Sequence, residues 1–348
     1  MIKLQATSLR HIVDSLKCSA EFILNIQLDN GAIPWFKDGK LDPWDHTEAA
    51  MALSVMGYWQ SAERAYQWLA DNQLPDGSWN AHYFCDEKNP LRETNFIAYI
   101  ATGVWHHFLI SNDTKFLNAL FPVLEKAINF VLKQQSEHGD IAWAVNSKGK
   151  AQNDALLTAC SSVLRSLECA YLCAQALGID KPDWSQKGHR LAQALTLKPY
   201  RFDRTWESKN RFAMDWYYPI LAGLYDTTTS QLRIQQRWSE FVVQDLGCKC
   251  VSDEPWVTMA ETSELIMALC HAGELSKAKG LYKTLAQWRD KSGGYWTGYV
   301  YRDKTLWPEE QTTWTAAAVV LAADALYKIS PASELFLTRS LFLTHATL

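Results

Sequence analysis

The sequence lacks the features that mark several large classes of protein. Its formal net charge is only −4 over 348 residues, and its 34 basic residues are scattered, so nothing indicates a nucleic acid or an anionic membrane surface as partner. No apolar run is long enough to span a membrane, and the first residues lack the apolar core and cleavage site of a signal peptide. We therefore predict a cytoplasmic protein without a membrane span.

Motifs for cofactors and for nucleophilic catalysis are also missing. There is no glycine-rich phosphate loop and no serine or cysteine nucleophile motif. The eight cysteines lie mostly in apolar helical stretches, which is typical of buried free thiols. Cys270 and His271 faintly resemble the Cys-His-Gly signature of zinc-bearing LanC-like cyclases, and Cys248 and Cys250 could add ligands, but Gly273 is equally a natural helix end. We predict neither a metal nor a cofactor.

Strand patterns are almost absent, whereas helical patterns run through the whole chain. The segment from Gly294 to Tyr301 predicts at most a short hairpin, and nothing alternates for long enough to build a sheet. Hydrophobic residues make up 48% of the chain, which is enough for one large helical core. The sequence therefore predicts an all-α protein.

One motif recurs six times: a loop ends in carboxylates, and these open an apolar helix rich in small residues. It is clearest in DPWDHTEAAMAL from Asp42 and in WPEEQTTWTAAAVVLAADAL from Trp307. Successive copies lie 46 to 61 residues apart, which leaves room for two helices and two loops in each repeat. The acids that mark the six copies are Asp45, Glu93, Asp154, Asp215, Glu261 and Glu310.

A second unit lies between these helix starts: an amphipathic helix, a glutamine, a glycine turn and a tryptophan. Four copies surround Gln27, Gln73, Gln135 and Gln287. Each repeat thus comprises an outer helix, a tryptophan loop and an inner helix. We predict an (α/α)6 barrel, also called an α/α toroid, that forms a single domain over residues 1 to 348. Its first outer helix, Thr7 to Leu28, should close the ring beside the helix from Thr312.

The six inner helices should begin at one end of the barrel. A carboxylate at a helix N-terminus is stabilised by the helix dipole, so capping alone explains any single acid. When six acids face one mouth, however, crowding by like charges raises the pKa of some of them and suits them to general acid catalysis. Ring closure makes the first and sixth copies neighbours. We therefore predict Asp45 and Glu310 as the reactive pair and Glu261 as a third catalytic carboxylate.

Aromatic residues are unusually frequent in the loops of this chain, which contains 16 Trp, 14 Tyr and 13 Phe. We expect Trp44, Trp79, Trp143, Trp256, Trp296 and Trp307 at the end of the barrel where the inner helices begin, because each lies in a loop that enters one of them. The predicted substrate-binding residues are Trp35, Trp44, His46, Glu48, Trp79, Glu93, Asn95, Trp143, Asp154, Asp215, Trp216, Tyr217, Trp256, Glu264, Trp296, Trp307, Glu309 and Trp314.

Between Gly31 and Leu326 the chain resembles bacterial α/α-toroid proteins commonly labelled "prenyltransferase". The resemblance rests on motifs such as GAIPWF, TNFIAYIATGVWHH, MDWYYP, ETSELIMAL and YWTGYV. Terpene cyclases of the squalene and hopene type are similar in the Gln-Gly-Trp turns and in Gln311 to Trp314. Their Asp-x-Asp-Asp proton donor is not reproduced, because Trp44 stands where the catalytic acid would be. Protein prenyltransferases would need a zinc trio and a partner subunit, and neither is evident.

The run from Glu93 to Leu132 resembles the paired-helix unit of six-hairpin glycosidases, and Trp307-Pro308-Glu309-Glu310 resembles the Trp-Glu-Glu of glucoamylase-like enzymes. A polyene cyclase needs aromatic walls with few ionised groups, whereas a sugar site combines aromatic platforms with carboxylates and amides. The acidic helix starts favour acid/base cleavage of a glycoside, with a small saccharide as partner. An isoprenoid cyclase or prenyltransferase and a non-catalytic ligand-binding toroid remain as alternatives.

Overall fold

A computed structural model describes residues 2 to 87 and 90 to 343. Within these ranges twelve α-helices alternate between an outer and an inner ring. The outer helices are α1 (Ile2–Ile26), α3 (Trp59–Asp71), α5 (Thr114–Leu132), α7 (Pro182–Leu197), α9 (Thr227–Phe241) and α11 (Leu275–Leu285). The inner helices are α2 (Pro43–Val55), α4 (Thr94–Ser111), α6 (Leu157–Ala176), α8 (Ala213–Leu221), α10 (Met259–His271) and α12 (Thr313–Tyr327). The predicted (α/α)6 architecture is confirmed.

The two rings differ in how much of each helix they bury. Inner helices such as α2 and α12 bury nearly every residue, and their many alanines let neighbouring backbones approach closely. The outer helix α3 buries one face only, through residues such as Ala62, Tyr66 and Leu69. Helix α12 packs against α2, α10 and α1, so the ring is closed and the predicted place of the N-terminal helix is confirmed. The assignment of residues 1 to 348 to a single domain stays a prediction.

The recurring glutamine and glycine join α1 to α3, α3 to α5 and α5 to α7. The Gln27 amide donates to the carbonyls of Gly31 and of Ser61 on α3, at 3.1 and 2.9 Å. Gly31 itself, with φ +94°, lies so close to α3 that a Cβ there would come within 2.2 Å of the Arg64 carbonyl oxygen. Only glycine tolerates both the backbone conformation and this approach. The same glutamine contacts recur at Gln73 and Gln135, and the same close approach recurs at Gly77, Gly139 and Gly293.

The inner helices begin at one end of the barrel, which we call the mouth, and short strands surround it. Five antiparallel strands pair in chain order: β3 (Val242–Val243), β4 (Gly247–Lys249), β5 (Trp256–Thr258), β6 (Gly298–Val300) and β7 (Thr305–Leu306). Another pair consists of β1 (Arg92–Glu93) and β2 (Ala144–Val145). The expected hairpin near Gly298 is present, but the prediction that no sheet forms was wrong. Strands of two or three residues are too short to show an alternating pattern.

The C-terminal segment after α12 packs across the opposite end of the barrel. Arg165 on α6 forms a buried ion pair with Glu168 at 2.8 Å and donates to the Thr338 carbonyl at 2.6 Å. His271 on α10 lies 3.1 Å from the Phe336 carbonyl. These contacts hold residues of the C-terminal segment against the inner ring at that end. Within residues 2 to 87 and 90 to 343, no helix combines the length and apolar character needed to cross a bilayer.

Replacing Gly139 with alanine should destabilise the fold far more than replacing Gly149. Both glycines have positive φ, at +100° and +80°, so both variants share the left-handed backbone cost of about 1–2 kcal/mol. Only at Gly139 would the added Cβ meet a neighbour, the Arg190 carbonyl oxygen at 2.3 Å. We expect Gly139→Ala to cost at least about 2 kcal/mol more than Gly149→Ala, measured by urea unfolding. Equal losses of stability in the two variants would show that the contact between Gly139 and Arg190 does not constrain the ring.

Candidate active site

All six marker acids lie where an inner helix begins. Asp45, Asp215 and Glu261 stand in the first turns of α2, α8 and α10, and Glu93 is the N-cap residue of α4. Asp154 and Glu310 lie three residues before the first residue of α6 and of α12. The repeat therefore gathers six carboxyl groups at the mouth. Their surroundings differ, and these differences separate their chemical roles.

A cavity of about 240 Å³ opens at the mouth between the loops that enter α10 and α12. It brings together six of the predicted site residues: Trp35, Trp256, Glu261, Trp307, Glu310 and Trp314. Trp256 and Trp307 meet edge to face with ring centroids 5.0 Å apart, and the Trp256 indole donates to the Trp307 carbonyl at 2.7 Å. Two carboxyl groups thus border a cavity walled by indoles, an arrangement suited to holding a sugar ring.

Asp45 occupies a carboxyl cluster beside this cavity. Asp42 caps α2 by accepting the Asp45 backbone N–H at 2.9 Å, and it accepts the indole N–H of Trp35 at 2.7 Å. Burial, and then the neighbouring carboxyl groups of Asp42 and Glu48, raise the pKa of Asp45 well above its ordinary value. Asp45 is 7% exposed and is not among the residues that line the described cavity. A buried carboxyl group with a raised pKa retains its proton and can act as a general acid.

Glu48 lies one turn further along α2 and organises the aromatic wall. Its carboxylate accepts the indole N–H of Trp44 at 3.1 Å, the Tyr99 hydroxyl at 2.7 Å and the Trp314 indole N–H at 2.8 Å. The Trp44 ring in turn stacks on Tyr99 with centroids 4.4 Å apart. Burial raises the pKa of Glu48 to about 7. One carboxyl group from α2 therefore fixes side chains from α2, α4 and α12.

A second acid, Glu264, lies on α10, which is separated from α2 in the inner ring by α12. The Tyr217 hydroxyl donates to it, and Glu264 is 1% exposed. Burial, followed by the charge of Glu48, raises the pKa of Glu264 well above its ordinary value. Glu48 and Glu264 thus form the polar centre of the barrel beneath the mouth. Their partners are tyrosine and tryptophan donors rather than cations.

The first and sixth helix starts are in contact, as ring closure requires. Thr313 donates its backbone N–H to the Trp35 carbonyl at 2.7 Å and its hydroxyl to the Pro34 carbonyl at 2.8 Å. The Lys40 ammonium group lies 3.8 Å from the centroid of the Trp35 ring. Burial raises the pKa of Glu310, and the charge of Lys40 opposes the rise both there and at Asp45. The two predicted catalytic acids therefore share one cationic neighbour.

No protein-family profile matches the chain. A curated relative does: an MMP endo-(1,4)-3-O-methyl-alpha-D-mannosidase of Mycolicibacterium hassiacum is 43% identical over 321 residues, which cover 91% of this chain and 88% of the relative. The chain belongs to this family of glycoside hydrolases. The prediction of a carbohydrate-active enzyme that cleaves a glycoside is thereby confirmed.

Solved structures of other proteins share the toroid fold of this glycosidase. A glycosidase variant in complex with glucose superposes with a TM-score of 0.72 at 14% identity, over 92% of this chain and 98% of the other. A D-mannose isomerase gives a TM-score of 0.72 at 10% identity, over 92% and 97%. At such identities the likeness concerns the fold alone. The label "prenyltransferase" and the isoprenoid alternative find no support in these similarities.

Several predicted substrate-binding residues of the glycosidase are instead part of its packed interior. His46 is fully buried; its Nδ1 accepts the Ile33 N–H at 3.0 Å, its Nε2 bonds the Ala65 carbonyl at 2.9 Å, and burial lowers its pKa to about 4. The indoles of Trp79 and Trp216 donate to carbonyls of the outer helices α3 and α9, at 2.8 Å in each case. Tyr217 is fully buried against Glu264. Each of these four side chains thus has its partners within the packed interior, and a role in substrate binding stays a prediction.

Asp154 also has a structural role. Its two oxygens accept the Ala155 N–H, and both the N–H and the hydroxyl of Thr205, at 2.7 to 2.8 Å, while the Arg204 guanidinium lies 3.4 Å away. These bonds outweigh burial and lower the pKa of Asp154. The carboxylate anchors the loop before α8, and its assignment to substrate binding stays a prediction.

The remaining predicted residues lie around the mouth with different degrees of exposure. Burial raises the pKa of Glu93 to about 7, and Asp215 accepts the Thr158 hydroxyl at 2.5 Å. The ring of Trp143 lies edge to face with Trp206, with centroids 5.7 Å apart. Half-buried Trp296, buried Asn95 and exposed Glu309 also lie in loops or first turns at inner-helix starts. For these residues a role in binding stays a prediction.

Sequence reasoning missed several residues that shape the site. Tyr99 donates a hydrogen bond to Glu48, and the charge of Lys40 acts on both Asp45 and Glu310. Trp206 forms the aromatic pair with Trp143. Tyr99 lies on the inner helix α4, where the repeat pattern predicts only core packing. The length of the loop before α8 was the available signal for Trp206. Within the described parts of the chain, no three His, Cys, Asp or Glu side chains are grouped as a metal site.

The raised pKa of Glu48 predicts a specific pH dependence of stability. Between its ordinary value of 4.5 and the folded value of about 7, the folded protein holds a proton that the unfolded chain releases. Rising pH over this window should therefore destabilise the wild type relative to Glu48→Gln, by up to about 3 kcal/mol. Urea unfolding at several pH values would measure the difference. The exposed Glu334→Gln should show no such trend, and a pH-independent difference for Glu48→Gln would contradict the assignment.

Proposed function

We propose that this glycosidase cleaves internal α-(1,4) linkages in a polymer of 3-O-methylated D-mannose. The observation that carries the proposal is the 43% identity, over 91% of the chain, to a relative whose name states that activity. The geometry supports an endo-acting enzyme, because an aromatic cleft and an apolar cavity adjoin the acidic cavity and offer room for sugar units beyond the cleaved linkage. We also propose a cytoplasmic location, which the eight free cysteines support.

We further propose that Asp45 is the general acid and Glu310 the second carboxylate, acting as base or nucleophile. Asp45 meets the requirement for an acid, because burial and two neighbouring carboxyl groups keep it protonated. Glu310 borders the cavity and lies near Lys40, whose charge favours the ionised form. Glu261 borders the same cavity from α10, where it would bind the sugar opposite Glu310. The indoles of Trp35, Trp256, Trp307 and Trp314 would form the sugar platform.

The reaction follows from these positions. The polymer lies across the mouth with the cleaved linkage between Asp45 and Glu310. Asp45 donates its proton to the departing glycosidic oxygen, while the second carboxylate stabilises the positive charge that develops on the anomeric carbon, either by direct attack or by activating water. Indole walls exclude bulk water from the sugar and strengthen both interactions.

Substitution of the carboxyl groups tests these roles. We expect Asp45→Asn and Glu310→Gln each to lower kcat on an α-(1,4)-linked 3-O-methylmannan by at least about 100-fold, with melting temperatures close to the wild type. Release of mixed oligosaccharides, measured by chromatography, would indicate endo cleavage. Asp303→Asn, an exposed acid between β6 and β7, is the matched control and should keep full activity. If Glu261→Gln is inactive while Glu310→Gln is active, the second role belongs to Glu261.

The assignment of Asp45 as acid also predicts the pH profile. Because the general acid must be protonated, kcat/KM should fall as pH rises through the raised pKa of Asp45. This alkaline limb should disappear in Asp45→Asn. An aryl mannoside with an acidic phenol as leaving group needs no proton, so it should restore much of the kcat of Asp45→Asn and little of Glu310→Gln. Equal rescue of both variants would contradict the assignment.

A further inference from the structure

A second cavity, of about 220 Å³, opens at the mouth where α6 and α8 begin. Its wall includes Leu156, Thr158, Phe212, Met214, Asp215 and Cys250. Leu156 and Phe212 are the N-cap residues of the two helices, so the cavity faces the same side of the barrel as the acidic one. None of the proposed catalytic steps uses it.

The chemistry of this wall differs from that of the acidic cavity. Leu156, Phe212, Met214 and Cys250 are partly exposed to the cavity, and nearly all of the lining surface is apolar. Asp215, which also borders it, already accepts the Thr158 hydroxyl. A hydroxyl group placed against the four apolar side chains would lose water without gaining a hydrogen bond, which is unfavourable. A methyl group placed there would be stabilised by burial.

The position of the cavity relates it to the cleaved linkage. The Ala213 N–H donates to the Cys250 carbonyl at 2.9 Å, which ties the start of α8 to the strand region before α10. On the far side of Cys250 lies Glu261, whose carboxylate, after burial, raises the pKa of the Cys250 thiol. Glu261 also borders the acidic cavity. The two cavities are therefore neighbours separated by Cys250 and Glu261.

A third cleft adjoins both cavities, because its Val251 pairs with Phe212 of the apolar cavity. It measures about 350 Å³ and shares Trp256 and Trp307 with the acidic cavity. The mouth thus carries three adjoining cavities: the aromatic cleft, the acidic cavity and the apolar cavity. Such a group suits a polymer whose neighbouring units occupy different cavities.

We propose that the apolar cavity is a subsite for a 3-O-methylated sugar unit next to the cleaved linkage, with Met214 and Phe212 determining the preference for the methyl ether. This inference rests on the proposed function and adds the residues that recognise the methyl group. One methyl group in an apolar pocket changes specificity by roughly 10–200-fold. The wild type should therefore cleave a 3-O-methylated α-(1,4)-mannooligosaccharide at least about tenfold more efficiently than its unmethylated counterpart, in kcat/KM.

Polar substitution of the wall tests the subsite. Met214→Gln keeps the side-chain length but offers an amide, and it should lower the ratio of kcat/KM for methylated over unmethylated substrate by about tenfold. Met214→Leu should keep the ratio. Phe212→Asn is a second polar variant, in which asparagine is also a favourable N-cap for α8. Met56→Gln, half-buried at the opposite end of α2, is the matched control and should leave the ratio unchanged.

The outcomes separate this inference from the proposed function. A wild type that cleaves neither substrate overturns the proposed function and this inference with it. A wild type that cleaves both equally well, or a ratio unchanged in both Met214→Gln and Phe212→Asn, overturns the subsite and leaves the glycosidase assignment intact. Because the readout is a ratio measured on one enzyme preparation, a general loss of folded protein does not imitate the expected result.

Discussion

The toroid depends on the joint between consecutive outer helices. At each of its clearest copies a glutamine amide bridges two carbonyls, and a glycine brings the turn into contact with the backbone of the next outer helix. The two backbones are in direct contact, so one carbon atom added to the glycine would overlap the facing carbonyl group. The copy at Gly293 contacts Cys18 on α1 and so joins the last repeat to the first. These joints hold consecutive repeats in the same orientation, so the N-termini of their inner helices share one mouth.

Because the inner helices converge, several carboxyl groups lie close together. The barrel surrounds each of them with different partners. Asp154 remains ionised through an arginine and backbone donors. Glu48 and Glu264 are held by indole and phenol donors, which stabilise a carboxyl group without adding a cation. Asp45 has mainly other carboxyl groups around it, and burial together with their charges raises its pKa well above the ordinary value. Acids at or near the inner-helix starts thus differ in protonation and in hydrogen-bond partners, depending on the neighbours that tertiary packing supplies.

The mouth presents several adjoining cavities rather than a single pocket. Short strands carry Trp256 to the rim, and the loop before α8 carries Trp206 against Trp143. These connections differ in length between repeats, while the joints and the inner helices keep the ring regular. A regular scaffold with variable entry loops can therefore present unlike cavities side by side. An enzyme that binds a polymer internally requires such a surface.

The sequence by itself determined the repeat, the all-helical ring and the end at which the carboxyl groups meet, because helical periodicity, glycine turns and N-terminal acids act locally. It could not decide where side chains of the same repeat position point. Trp79 and Trp307 occupy equivalent entry loops, yet one indole is buried against α3 and the other is 56% exposed at the rim. His46 follows Asp45 directly but bonds backbone groups of two other segments. Only the tertiary structure settled these cases, since burial and hydrogen-bond partners come from residues distant in the chain.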